Sequence, residues 1–377
     1  MTKIKIGIFI NNLGQGGAEK QLVELLKRIN KNKFTIKLYL YAYQKDAFYL
    51  DIFDEDEIIV VKNKLKGKKS LFKILEALKY LRNELTKNDF DLIFTSLFMN
   101  SFFIRIVANR KYRNKIITSS RTSIKLYSFY HLMVEKILIR NSYLIFNSKS
   151  SLENFKKVIN NKYHNKLKII YNGFNINNGI PENRIYNSQI NKIVIGGLGR
   201  RNNEKNFIQL VRVFQQIKII GLKNSLSLIL QGADGDQSIV INDQILKSEK
   251  DIKVLKANPY IYDFFSKTNI LVIPSFFEGC PNVLFEAMIH NKLCIISSGA
   301  NSDNFVVDNV NGFVYDGSDE GLLQSLCNAI SIVNTDKEHK IINNAFCFVK
   351  EYFSMEVMVK RYENLFLEIY EKNQSSN

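Results

Sequence analysis

Cysteine and proline are scarce, with four of each among 377 residues. Cys280, Cys294, Cys327 and Cys347 form no C-x-x-C pair, which argues against a disulfide-stapled scaffold and a cysteine zinc cage. Unpaired thiols suit a reducing cytoplasm. No apolar run approaches the ~18–20 residues that a membrane-spanning helix needs. The opening MTKIKIGIFINNLGQGG is unlike a signal peptide, with a short apolar stretch and glycines where a cleavage site would stand. A soluble protein is expected. Charged residues at 24% and hydrophobic ones at 46% are globular values and exclude disorder over most of the chain. Acidic residues are short only in the first half. Residues 1–180 hold 33 Lys and Arg against 14 Asp and Glu, a balance of +19, and residues 181–377 hold 20 against 22, a balance of −2. The net charge of +17 is therefore a property of the first half. Such asymmetry points to a polyanion: nucleic acid, an anionic membrane or a phosphorylated substrate. A composition rich in Lys, Asn and Ile also produces basic surfaces with no such partner.

What is present is a strand–helix alternation, twice over. KIKIGIFI (3–10) is short and apolar and reads as a buried parallel strand. The glycine loop GQGGAE (14–19) follows, and then a helix with Leu22, Val23, Leu25, Leu26 and Ile29 on one side. Further strands are expected at 35–43, 90–97, 115–120, 142–148 and 167–174, with a helix over 71–85. Residues 175–191 are polar and read as a linker. The alternation resumes with the strand KIVIGGLGR (192–200), the helix 206–218, and strands at 225–232, 268–274 and 292–297. An amphipathic helix is expected from about 350 to 371. The pattern predicts an α/β protein of two doubly wound Rossmann-like domains facing across a cleft, over 1–180 and 181–349. The segment 350–377 is expected to cross back to the first domain.

Three motifs carry chemistry. EGCPNVLFE (278–286) follows a strand, and Pro281 suits the first turn of a helix. Glu278 stays in the loop and Glu286 falls in the second turn, so the two carboxylates can reach opposite ends of one elongated ligand. The helix N-terminus between them, at Asn282 and Val283, offers N–H groups and a positive dipole end for a phosphate. The same segment also reads as a capped helix with two surface glutamates. GRRNNEKN (199–206) places Arg200 and Lys205 about a polar turn at a strand's end, where two cations can neutralise a diphosphate or simply face solvent. Gly16 and Gly17 let backbone approach a ligand or make a tight turn, and their spacing is not the dinucleotide fingerprint.

Together these residues resemble the glycosyl transferases group 1 family (glycosyltransferase family 4), retaining enzymes of the GT-B fold. The order GGAE, NSKSSLENF (147–155), IYNGF (170–174), GRRNNEKN, LILQGADGD (228–236), EGCPNVLFEAM (278–288) and SSGANSDNFVVDNVNGFVYD (297–316) carries the likeness over nearly the whole chain. The resemblance implies an N-terminal acceptor domain and a C-terminal domain for a nucleotide sugar. It implies Arg200 and Lys205 on the donor diphosphate and Glu286 on the ribose. Glu278 would lie beside the donor sugar, with backbone at Asn282, Val283 and Gly232 on the donor. Gly16 and Gly17 would let the first loop approach the donor. The leaving phosphate itself would take the acceptor's proton, so no general base is expected. A UDP- or GDP-sugar donor, a lipid-diphosphate-linked glycan acceptor, and a role in O-antigen or capsule assembly follow from the same resemblance. So does a place on the inner face of the cytoplasmic membrane.

One departure stands out. Many members place a histidine after the strand matching KIITSS, whereas here SSRTS holds Ser120 and Arg121. Arg121 and Asn100 are the acceptor-side candidates. His131, His164, His290 and His339 read as structural or exposed. Asp54 and Asp56, and Asp234 and Asp236, each spell D-x-D, a pattern that holds a divalent ion in transferases of another fold. Both read as loops here, so no metal and no cofactor are expected. KNKLKGKK (62–69) holds five lysines and can rest on an anionic membrane, or be a solvated loop. A basic nucleic-acid-binding protein leaves the C-terminal motifs unexplained, so no nucleic-acid partner is expected. A GT-B-like sugar-nucleotide epimerase wants more acid and base groups than the motifs supply.

Overall fold

In the computed structural model, the residues described are 3–10, 13, 17–40, 58–60, 71–120, 129–176, 192–220, 225–236, 238, 250–258 and 260–375. Side chains 18, 58–60, 71–77 and 129 lie outside the description. The chain divides into two compact units, one of residues 1–173 with 355–377 and one of residues 174–354.

The first unit is built on a seven-stranded sheet in the order β3-β2-β1-β4-β5-β6-β7. Its strands are β1 (Ile4–Ile10), β2 (Phe34–Leu40), β3 (Ile58–Val60), β4 (Leu92–Ser96), β5 (Ile116–Ser120), β6 (Ser142–Phe146) and β7 (Leu167–Ile169). All neighbours pair in parallel. Such strands are covered on both faces, which is why they read as unbroken apolar runs rather than alternating ones. The helices are α1 (Gly17–Arg28), α2 (Leu71–Lys87), α3 (Phe98–Val107), α4 (Phe129–Leu138) and α5 (Lys149–Lys156).

The second unit repeats the plan with six strands in the order β10-β9-β8-β11-β12-β13. These are β8 (Lys192–Leu198), β9 (Ser225–Gln231), β10 (Ile252–Leu255), β11 (Ile270–Ile273), β12 (Leu293–Ser297) and β13 (Phe313–Tyr315), again all parallel. Its helices are α6 (Phe207–Ile220), α7 (Ile261–Lys267), α8 (Asn282–Ile289), α9 (Asp319–Ile332) and α10 (Asp336–Phe353). Strand β8 carries Gly196 and Gly197 because helices crowd both its faces. A Cβ at Gly196 would lie 2.6 Å from the Phe264 ring, and one at Gly197 would lie 2.9 Å from the Phe207 ring.

The strand expectations place the long central strands and miss β3, β10 and β13, three or four residues each at or near sheet edges. The helix expected from about 350 is instead two helices. Ser354 is extended, ends α10 and bridges Phe174, and α11 (Met355–Gln374) begins after it. Met358, Val359, Tyr362, Leu365, Phe366 and Ile369 of α11 join the core of the first unit, against β1, β2 and α1. Among the described residues no helix is long and apolar enough to cross a membrane.

Candidate active site

In both sheets the strand order reverses beside the first strand of the unit, between β1 and β4 and between β8 and β11. Ligands of doubly wound sheets bind beyond the carboxyl ends of the strands at that point. In the second unit this place holds a cavity of about 320 Å³. Leu198 and Gly199 from the end of β8 line it, with Arg200 and Lys205 from the loop after it. Val272 to Ser275 at the end of β11, Glu278, and the start of α8 at Asn282 and Val283 complete the wall.

Each part has a local cause. The loop after β8 is folded by asparagines: Asn202 caps a short turn by accepting from the Lys205 N–H at 3.2 Å, and Asn206 takes a left-handed conformation that turns the chain into α6. This brings Lys205 back over the strand end. Its Nζ donates to Glu278 Oε1 at 2.5 Å, and the Ser275 hydroxyl donates to the same oxygen at 2.7 Å. The Glu278 loop is itself pinned. Phe276 N–H donates to the Glu204 carbonyl, and the Ser297 hydroxyl donates to the Ser275 carbonyl at 2.5 Å. Arg200 is exposed beside this network.

Pro281 stands as the N-cap of α8 rather than as its first helical residue, and no side chain caps the helix. The dipole end thus meets the cavity at Asn282 and Val283, where the Asn282 N–H donates to the Cys280 carbonyl at 2.9 Å. Glu286 lies one turn along α8 from Asn282, on the same face, and is half-buried. It is not part of the cavity wall described above. Gly232 underlies the site: a Cβ there would come within 1.8 Å of the Gly199 carbonyl oxygen, so only glycine lets the ends of β8 and β9 approach so closely.

Arg201 is a residue the motif reading passed over. It is 4% exposed, and its guanidinium donates to the Gly232 carbonyl at 2.9 Å, to the Leu255 carbonyl at 3.2 Å and to Asp234. It ties together the ends of β8, β9 and β10. The signal was the paired Arg-Arg itself, since neighbours at a strand's end point to opposite sides and one must face inward. The hydrogen bond from Arg201 holds the Asp234 carboxyl below its usual range. Asp236 accepts from the backbone N–H and side-chain amide of Asn203, at 2.9 and 2.7 Å. Both aspartates of this D-x-D are thus engaged in shaping the Arg200–Lys205 loop. Asp54 and Asp56 lie outside the described residues.

The remaining candidates belong to the first unit. Gly17 opens α1, while Gly16, Arg121 and the lysines of 62–69 lie outside the described residues. Asn100 is 3% exposed on α3, with its amide donating to the Ser96 carbonyl at 3.0 Å. His131 sits edge-on to Phe98, His164 bonds the Lys156 carbonyl, and His290 stacks on Phe265.

This arrangement offers two cations, a helix N-terminus and a positioned carboxylate in one cavity, a combination suited to a diphosphate joined to a polyhydroxyl group. Residues 15–178 match Glycosyltransferase Family 4, and residues 181–346 match Glycosyl transferases group 1. The chain is 28% identical over 309 residues to the N-acetylgalactosamine-N,N'-diacetylbacillosaminyl-diphospho-undecaprenol 4-alpha-N-acetylgalactosaminyltransferase of Campylobacter jejuni, covering 75% of this chain and 78% of that one. It is 25% identical over 361 residues to the capsular polysaccharide biosynthesis glycosyltransferase CapH of Staphylococcus aureus, covering 92% and 95%. Among solved structures, Anabaena HepE in complex with UDP superposes with a TM-score of 0.75 at 19% identity, over 97% of this chain and 100% of that one. That last likeness is one of fold, the GT-B fold with its two Rossmann-like domains. From residue 15 to residue 346 the chain matches in family order with only residues 179 and 180 between the two stretches, and it belongs to the glycosyl transferases group 1 family of glycosyltransferases.

Proposed function

We propose that the protein transfers a sugar, with retention of anomeric configuration and without a metal, from a UDP- or GDP-sugar to a lipid-diphosphate-linked glycan at a bacterial membrane. The observation that carries this is the convergence of Arg200, Lys205, Glu278 and the uncapped start of α8 on one cavity at the switch point of the second sheet. Arg200 and Lys205, with the N–H groups at Asn282 and Val283, hold the donor diphosphate and stabilise the charge that grows on it as the sugar departs. Glu278, held by Ser275 and Lys205, faces the sugar and steadies its cationic transition state. Glu286, one turn along the same helix face, accepts from the ribose hydroxyls, and Gly232 keeps the strand ends close enough for backbone to meet the nucleotide. The acceptor's proton passes to the leaving phosphate oxygen, so no separate base is required. Arg121 and Asn100 are the acceptor-side residues of this reading, and Gly16 and Gly17 are donor-side. The polymer is a surface polysaccharide of the O-antigen or capsule kind. The lipid-linked acceptor is supported by the activity of the Campylobacter relative, and the uridine donor by the UDP in HepE.

A thermal-shift screen against UDP-, GDP-, ADP- and CDP-sugars tests this, followed by turnover of the best donor with and without EDTA. One nucleotide should raise the melting temperature, and turnover should survive EDTA. Glu278→Ala should lose turnover while still binding nucleotide, and Glu286→Ala should lose nucleotide binding. No shift with any nucleotide sugar, or activity restored only by added magnesium, overturns the assignment.

A further inference from the structure

The lysine that a diphosphate needs is already engaged by a carboxylate. Lys205 Nζ donates to Glu278 Oε1 at 2.5 Å, and both side chains are largely covered, at 27% and 14% exposure. The backbone on either side holds them there. The Phe276 N–H donates to the Glu204 carbonyl at 3.0 Å, which ties the loop of Glu278 to the loop of Lys205 beside the pair. The Ser302 hydroxyl donates to the Glu278 carbonyl at 3.3 Å, and a Cβ at Gly299 would come within 2.2 Å of the Phe276 carbonyl oxygen. The pair is thus built into two clamped loops. The other cations of the same loop differ. Arg201 is engaged by two carbonyls and Asp234. Arg200 is exposed, and its guanidinium has no hydrogen-bond or ion-pair partner among the described residues.

A charge pair in a partly covered cleft attracts several times more strongly than one in water. A diphosphate that approaches Lys205 has to share it with Glu278 and also meets the carboxylate's own charge. Its binding is therefore weaker than the cations of the cavity alone would give. Transfer changes this balance. The bond from the anomeric carbon to the diphosphate oxygen breaks, and its electron pair stays on that oxygen. The acceptor hydroxyl bonds to the anomeric carbon and its proton passes to the same phosphate oxygen. While the old bond is stretched, negative charge grows on the diphosphate and positive charge on the sugar. Lys205 suits the first and Glu278 the second, so one ion pair is exchanged for two. Interactions realised only in the transition state raise kcat. Once the sugar is neutral again, Glu278 reclaims Lys205 and the diphosphate loses a partner.

We infer that the Lys205–Glu278 pair is an exchange device, which withholds Lys205 from the nucleoside diphosphate except while charge separates and so speeds release of that product. The inference rests on the proposed donor site and adds to it a second role for Glu278, one that acts through Lys205.

Calorimetric titration with UDP and with uridine tests it, or with the diphosphate and nucleoside of whichever base the thermal-shift screen selects. Glu278→Gln keeps the side chain's size and a partner for Ser275 but removes the charge. It should bind UDP about tenfold more tightly than the wild type, with its affinity for uridine unchanged. Glu278→Ala should shift UDP affinity in the same direction. The residual turnover of Glu278→Gln should be inhibited by UDP at about one-tenth the wild-type concentration. In a Lys205→Met background, Glu278→Gln should leave UDP affinity within about twofold, because the pair is already broken. Unchanged or weaker UDP binding in both Glu278 variants overturns the inference. So does equal tightening in the Lys205→Met background, which makes the carboxylate a plain repeller of phosphate, and so does equal tightening of uridine, which places the effect on the nucleoside. A wild type that binds no nucleoside diphosphate sinks the donor-site reading itself and this inference with it, whereas binding without tightening sinks this inference alone.

Discussion

At the scale of single residues, Ser275 is the group whose effect is easiest to isolate. It is 1% exposed and its hydroxyl donates to the same Glu278 oxygen that Lys205 reaches. Removing it leaves the cavity wall intact but frees the carboxylate to turn. Ser275→Ala is expected to lower kcat/KM about tenfold, the worth of one hydrogen bond to a charged group at about 1.5 kcal/mol. Ser275→Thr keeps the hydroxyl and should restore most of it. The effect should fall on kcat, with affinity for the bare nucleotide unchanged. Equal losses in the alanine and threonine variants would mean that packing, not the hydrogen bond, holds Glu278. Residues such as Arg200, Lys205 and Glu278 were legible in sequence because a strand's end, a polar turn and a helix start fix where they must lie. Ser275 and Arg201 were not, because their importance comes from partners 3 and 33 residues away whose approach only the folded loops supply.

At the scale of elements, a paired strand was legible wherever its own apolar run sufficed to bury it. β1, β4, β6, β8 and β11 lie inside their sheets and read plainly. β3, β10 and β13 are short edges, and pairing with a neighbour, not composition, makes them strands. The α3–α4 pair was unreadable for a different reason. A polar residue counts as exposed in any periodicity argument, so Arg105 and Glu135 hid the true inner face. Their pair joins two helices and is nearly fully buried, so it offers a direct test of that packing. Glu135→Ala leaves a guanidinium uncompensated among Ser101 and its neighbours and should destabilise the first unit by about 3–5 kcal/mol. Arg105→Met with Glu135→Leu removes both charges and should recover most of the loss. Denaturant unfolding of the two variants distinguishes a clasp from an incidental contact. If the single variant were as stable as the wild type, the pair would carry no load.

At the scale of the whole molecule, the chain's path decides what each half needs. The second unit is one continuous stretch, residues 174–354, and it contains the entire cavity. The first unit is discontinuous, completed by α11 from the far end of the chain. Seven core side chains of α11 are buried there, among them Phe366 and Ile369 at 0% exposure. Each contributes about 1.5–3 kcal/mol by burial, which together rivals the 5–15 kcal/mol by which a domain is stable at all. A chain ending at Ser354 should therefore lose the cooperative unfolding transition of the first unit while the second still binds the nucleotide found in the screen. Calorimetry with and without that nucleotide separates the two, since a ligand raises only the transition of the unit that binds it. Phe366→Ala should act in the same direction by about 3–5 kcal/mol without shortening the chain. A truncated protein that retained two transitions would show that α11 is a peripheral addition. Loss of both would show that the nucleotide site depends on the acceptor half for its folding, and that the two sheets behave as one cooperative unit.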